Sequence, residues 1–186
     1  MFHCHRSETE LMRVLREAQA ERFLCECAFF YDDVHRYCYV LGGSERLICF
    51  AVEDDFLLNG FVIGRLSDLR LAKPCGALFD RMCRECGLPG QLKPLQIDLS
   101  SWESVFCDLK RFGRMVIIEN NAPGKDFFQM GYVTDVAQSY IVFRSVDADG
   151  VWTDHVMIAY DAITNVTFCD RYSATWQKYL SAHGQA

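Results

Sequence analysis

The sequence predicts a mainly β protein with short flanking helices, built as two tandem small β-barrels, each a helix, five antiparallel strands and a closing helix. Three observations carry this expectation. The stretch Cys38 to Phe50 recurs without a gap ninety-three positions later, as Gly131 to Phe143. Tyr39, Val40, Ile48 and Phe50 stand opposite Tyr132, Val133, Ile141 and Phe143, so the apolar frame repeats while the polar residues do not. Two Ser-x-x-Glu segments, Ser7 to Glu10 and Ser100 to Glu103, lie at the same offset and read as capping boxes that open a helix. A period of this length is too long for solenoid units and suits a small domain.

The elements follow in order. After Ser7, the apolar residues Leu11, Val14, Leu15 and Ala18 fall at helical spacing and predict a helix over about 8–21. Strands are expected at 22–31, 36–41, 46–53, 56–66 and 69–73, punctuated by Asp32-Asp33, Gly42-Gly43 and Asp54-Asp55. Asn59-Gly60 bulges or splits the fourth strand, and Pro74 ends the fifth. Residues 76–86 read as a short amphipathic helix stopped by Gly87. The stretch around Pro89-Gly90 and Pro94 has no clear period, which places a linker at 88–98 between a first unit, 1–87, and a second, 99–186. The second unit repeats the pattern, with a helix after Ser100 and strands at 114–119, 127–136, 140–146, 151–159 and 163–168. Tyr172, Trp176, Tyr179 and Leu180 give the closing helix.

Composition narrows the functional classes. With 186 residues and 51% apolar, the chain can bury a core. Its net charge is -6, and neither half is basic: residues 1–93 carry 12 Lys/Arg against 14 Asp/Glu, and residues 94–186 carry 7 against 11. Nucleic-acid binding rests on clustered cations that neutralise phosphates, so this balance disfavours it. Charges interrupt every apolar run before membrane-spanning length, and the first residues lack the apolar run of a signal peptide; the reading is a cytoplasmic protein without a membrane segment.

Ten cysteines in a reducing compartment read as free thiols. Cys83-Arg84-Glu85-Cys86 is the exception to weigh, since Cys83 and Cys86 have the spacing of half a zinc site, with His3, Cys4 and His5 as the other candidate ligands. No second CxxC accompanies it, and the expectation is no metal and no cofactor. Asp147-Ala148-Asp149-Gly150 lacks the rest of a calcium loop and reads as a hairpin turn. Asp154-His155 has no nucleophile motif beside it, so an enzyme is the least supported class. The aromatic residues of the second half (Phe127, Phe128, Tyr132, Tyr140, Trp152, Trp176 among them) read first as core and protein interface.

Among small barrels of the SH3 type, the chain resembles the Sm-like proteins. Gly131-Tyr132-Val133 followed by Tyr140 and Ile141 resembles the second and third strands of the first Sm motif, and His155 to Phe168 takes the place of the second motif. Sm-like proteins that hold uridine-rich RNA present an Asp and an Asn from the first motif and an Arg-Gly pair from the second. Here those places hold Ala137 and Ile141, with Ile158-Ala159-Tyr160 for the pair; in the first half they hold Ser44 and Ile48, with Gly64-Arg65 in reversed order. The resemblance implies the fold without that RNA site.

The leading functional reading is a non-catalytic interaction or scaffold protein that binds a protein partner. An RNA-binding Sm-like regulator is the first alternative, tested by whether Arg65, Arg70, Lys73, Arg114 and Arg144 share a surface; a small-ligand sensor with an enclosed apolar pocket is the second. The linker residues Leu88, Leu92, Leu95 and Ile97 are too apolar for a solvated tether, so they are expected to line an interface that makes the two halves an intramolecular pseudo-dimer.

Overall fold

The protein's computed structural model describes residues 8–31 and 34–184. Its elements are α1 (Glu8–Glu21), β1 (Cys25–Phe29), β2 (Arg36–Gly43), β3 (Leu47–Asp54), β4 (Leu57–Arg65), β5 (Leu69–Pro74), α2 (Ala77–Glu85) and the one-turn α3 (Leu88–Gln91). The second half adds α4 (Trp102–Phe112), β6 (Val116–Asn120), β7 (Phe127–Val136), β8 (Tyr140–Val146), β9 (Trp152–Ala159), β10 (Asn165–Phe168) and α5 (Arg171–Ala182). Among the described residues, no helix is long and apolar enough to cross a membrane.

The ten strands form one open antiparallel sheet in the order β5-β1-β2-β3-β4-β10-β6-β7-β8-β9. This corrects the expectation of two tandem Sm-like/SH3-like barrels. A five-stranded barrel closes when its fourth and fifth strands satisfy each other's edges, but β4 instead pairs with β10 of the other half, in the register Phe61↔Phe168, Val62↔Thr167, Ile63↔Val166 and Gly64↔Asn165. The free backbone groups of β4 are consumed there, so among the described strands β5 pairs with β1 and β9 with β8.

Within each half the strands keep the same local order, and irregularities recur at matching places. One extra residue sits in β2 between Val40 and Gly42, and one in β7 between Val133 and Asp135. A second pair of register shifts falls between Ala51 and Glu53 on the β3–β4 ladder, and between Arg144 and Val146 on the β8–β9 ladder. The repeated sequence frame has a packing reason. Val40, Ile48 and Phe50 turn towards Val14, Leu15 and Ala18 of α1, while Val133, Ile141 and Phe143 turn towards Val105, Phe106 and Leu109 of α4. Tyr39 and Tyr132 alternate to the opposite face: Tyr39 packs with Leu88 and Leu92 near α2 and α3, and Tyr132 with Trp176 and Leu180 of α5.

Helix starts depend on side-chain oxygens that satisfy free N–H groups. α4 begins one residue later than the expected box: Ser101 is the cap and accepts from Ser104 N at 3.1 Å, while Ser100 bonds to Asp98. α5 is capped by Asp170, which accepts from Ser173 N at 3.0 Å. Ser7 of the first box lies outside the described residues. The linker is not free chain: Leu88 and Leu92 are buried with Leu24 and Tyr39, whereas Leu95, Ile97 and Leu99 pack with Leu47, Cys49, Ile63, Val166 and Phe168, residues of both halves.

Candidate interaction surfaces

The centre of the sheet is held by a clamp that crosses from one half to the other. Arg65, at the end of β4, donates through Nη2 to the carbonyl oxygens of Tyr160 (3.1 Å) and Asp161 (2.6 Å), in the turn between β9 and β10. A second clasp lies at the other end of β4. Arg171 pairs with Asp54, its backbone N–H donates to Asn59 Oδ1 at 2.9 Å, and Asn59 Nδ2 donates to Asp54 at 3.0 Å. Hydrogen bonds that involve a charged partner contribute on the order of 1.5–3 kcal/mol each. Arg65→Ala is therefore expected to cost about 2 kcal/mol in urea unfolding, and Arg65→Lys part of that, because the shorter lysine must shift to bring its ammonium to the two carbonyls that Nη2 now bonds. An unchanged unfolding midpoint in both variants would show that the clamp carries nothing.

Beside Arg65 a cleft of about 710 Å³ opens between the halves, lined by Glu45, Arg46, Ser67, Trp102, Glu103 and Tyr160 among others. Of these, Tyr160 stacks on Phe106 at 6.0 Å and donates from its hydroxyl to the Ala137 carbonyl at 2.7 Å. The walls carry charges of both signs, which is not the enclosed apolar pocket with a few polar groups that a small-ligand sensor needs.

The cations proposed for RNA contact do not assemble. Arg70 and Lys73 sit on β5 at one end of the sheet, Arg65 at its middle, Arg114 just before β6, and Arg144 on β8 near the far end. Several are engaged within the molecule: Lys73 pairs with Glu26 at 3.0 Å, Arg65 clamps the seam, Arg144 lies 5.1 Å over the Trp152 ring, and Arg114 reaches the Cys169 sulfur at 3.5 Å. The Sm-type contact places fare no better, since Ile48 and Ile141 are buried in the core.

Cys83 of the CxxC points into the core from α2, and burial pushes its thiol up to about 11; Cys86 is exposed at the helix end. His3, Cys4 and His5 lie outside the described residues. Among the described residues, no three His, Cys, Asp or Glu side chains stand together as a metal site. Cys25, Cys27 and Cys38 form a thiol cluster under α1; a hydrogen bond with Cys27, then burial, raises the Cys25 thiol far above its ordinary range. Because the thiolate is the reactive form, alkylation of the folded protein is expected at Cys86 and Cys107 and not at Cys25, Cys27, Cys49 or Cys83 until denaturant is added. Rapid native labelling of Cys83 would contradict this burial.

Asp147 Oδ1 accepts from the N–H groups of Asp149 and Val151, both at 2.9 Å, which makes the Asp-Ala-Asp-Gly stretch a self-contained hairpin turn. The turn leads into β9, the surface that sequence reasoning passed over. Tyr160 N–H donates to Ser139 O at 3.0 Å, so Tyr140 and Ala159 form a pair whose own backbone groups point away from each other. Alternation along the ladder then turns the N–H and C=O of Ala159, Met157 and His155 outward, past the last strand. All three are exposed, Met157 at 73%. Val156, which faces the α4 core, is 39% exposed, while Ile158 beside it is only 7%. The only signal in the sequence was the run Val156-Met157-Ile158, which is indistinguishable from a buried strand without the sheet order. No protein-family model, curated protein or solved structure matches this chain.

Proposed function

We propose that the protein is a non-catalytic interaction protein that holds a protein partner along β9. The observation that carries this reading is the outward row of backbone groups at His155, Met157 and Ala159 on an exposed, partly apolar edge. Such an edge is a template for a further strand, and main-chain hydrogen bonding to it is a common way of capturing extended peptides. The same proposal takes residues 1–87 and 99–186 as one unit written twice and joined through 88–98 into a covalent pseudo-dimer. The shared local strand order, the matching register shifts and the pairing of β4 with β10 support it. A relationship to Sm-like proteins belongs with this proposal; the dispersal of Arg65, Arg70, Lys73, Arg114 and Arg144 speaks for a protein partner over RNA.

The test is a photo-crosslinking residue at Ala159 in the full chain, illuminated in its native cell extract. A protein adduct is expected, and it should vanish when Met157→Pro is added, because Pro there removes one outward donor and leaves the β8 ladder intact. Adducts to RNA alone, or protein adducts indifferent to Met157→Pro, would overturn the proposal.

A further inference from the structure

The chain contains one filled example of the β9 edge, and the filler describes the occupant. β2 and β3 match β7 and β8 position for position: Val40 faces Phe50 as Val133 faces Phe143. Carried across the next ladder, Phe50↔Val62 and Phe143↔Val156 make Val62 the counterpart of Val156, and Ile48↔Gly64 and Ile141↔Ile158 make Gly64 the counterpart of Ile158. Ile63 therefore corresponds to Met157. On β4 this edge is occupied by Asn165-Val166-Thr167-Phe168, antiparallel, with Val166 opposite Ile63 and Thr167 opposite Val62. Both are β-branched residues, which pack well on a pleated surface.

Resting on the reading of β9 as the binding edge, we infer that its occupant is an antiparallel extended segment of a different protein, with β-branched residues opposite Met157 and Val156 and flanking Lys or Arg. The charge argument comes from the hairpin itself. Asp147 and Asp149 lie at one end of β9, Asp154 on it and Asp161 just beyond, while Arg144 is held over the Trp152 ring. A basic segment is drawn to that edge and an acidic one is repelled.

A second copy of the chain is the poorer fit. The strand that corresponds to β10 in the first half is β5, and Cys75 N–H donates to Leu24 O at 2.9 Å, which makes Cys25 and Pro74 a pair with backbone groups turned away from each other. Pro74 therefore faces the outer side of β5 without an N–H to donate, a common way of blunting an edge.

The full-length protein is titrated with the synthetic peptide Lys-Lys-Asn-Val-Thr-Phe-Lys and with its counterpart carrying Glu for each Lys, followed by amide NMR and hydrogen exchange. The expected result is saturable binding, with at least tenfold slower exchange at the His155, Met157 and Ala159 amides. Binding should weaken at least fivefold for the Glu peptide and be lost in Met157→Pro. Binding equal for both peptides, binding that leaves those three amides unprotected, or sedimentation of the protein alone as a β9-dependent oligomer would each overturn the inference. If the Ala159 crosslink traps a protein while neither peptide binds, the occupant chemistry is wrong and the binding edge stands. If crosslink and peptide both fail, the edge itself is wrong.

Discussion

Gly60→Ala is expected to open the sheet at its centre. Gly60 sits in β4 with φ +77°, a conformation that costs an L residue roughly 1–2 kcal/mol. Space forbids the substitution as well. A methyl at this position would lie 2.6 Å from Asp170 N, 2.7 Å from Asp170 Cα and 2.8 Å from Phe168 O, all backbone atoms of the corner between β10 and α5. That corner cannot retreat without pulling Phe168 off Phe61 and Arg171 off Asn59 and Asp54. The combined cost should reach about 4 kcal/mol, the range of exceptional single substitutions. Urea unfolding measures it, and hydrogen exchange locates it: protection should fall first at residues 61–64 and 165–168, before the α1 core loosens. A variant within about 1 kcal/mol of the parent would mean that the close approach of β4 to Asp170 is absent in solution.

Gly131→Ala carries the second large effect, for a different reason. Gly131 has no positive φ, so conformation does not demand glycine; proximity does. Its methyl would stand 2.0 Å from Arg144 O and 2.7 Å from Ser145 Cα, across the ladder between β7 and β8. Backbone on a paired central strand cannot yield the ångström or more required, so the two strands must part. That severs the core made by Val133, Ile141 and Phe143 with α4. Loss of more than about 4 kcal/mol is expected, seen as unfolding of the second half at far lower urea and loss of the near-ultraviolet signal of Trp102 and Trp152. The counterpart residue in the first half, Cys38, carries a side chain buried in the α1 core, so Cys38→Ala is the control and should cost only about 1–2 kcal/mol. Comparable losses in the two variants would mean that the tight β7–β8 approach is not a property of the folded protein.

The sequence marks Gly131 only as the start of a strand-like stretch; the reason for the residue is visible only in three dimensions, where Arg144 O lies in the place a side chain would need. Arg65 shows the same division. The sequence offers it as one cation for the RNA alternative, and its charge is directed at two carbonyls of the opposite half, a role that neither its neighbours in sequence nor its spacing could disclose. The missed edge at β9 has the simplest cause, since whether a strand is central or terminal depends on what the rest of the chain does with it.

By itself the sequence determined much of the local structure. Alternating apolar residues specified β7 and β8 with the same limits as the structure, and the spacing of Leu11, Val14, Leu15 and Ala18 specified α1. Those features follow from side chains, whose pattern is written residue by residue. Only the tertiary structure decided that the two sets of five strands join into one open sheet. That choice is made by backbone N–H and C=O groups, which are the same at every residue, so the edge of β4 is as able to bond its own fifth strand as that of the other half. The clasps at Arg65 and at Asp54–Arg171, and the fit of Gly60 against Asp170, select the second option; they join residues about a hundred positions apart, beyond the reach of any local pattern.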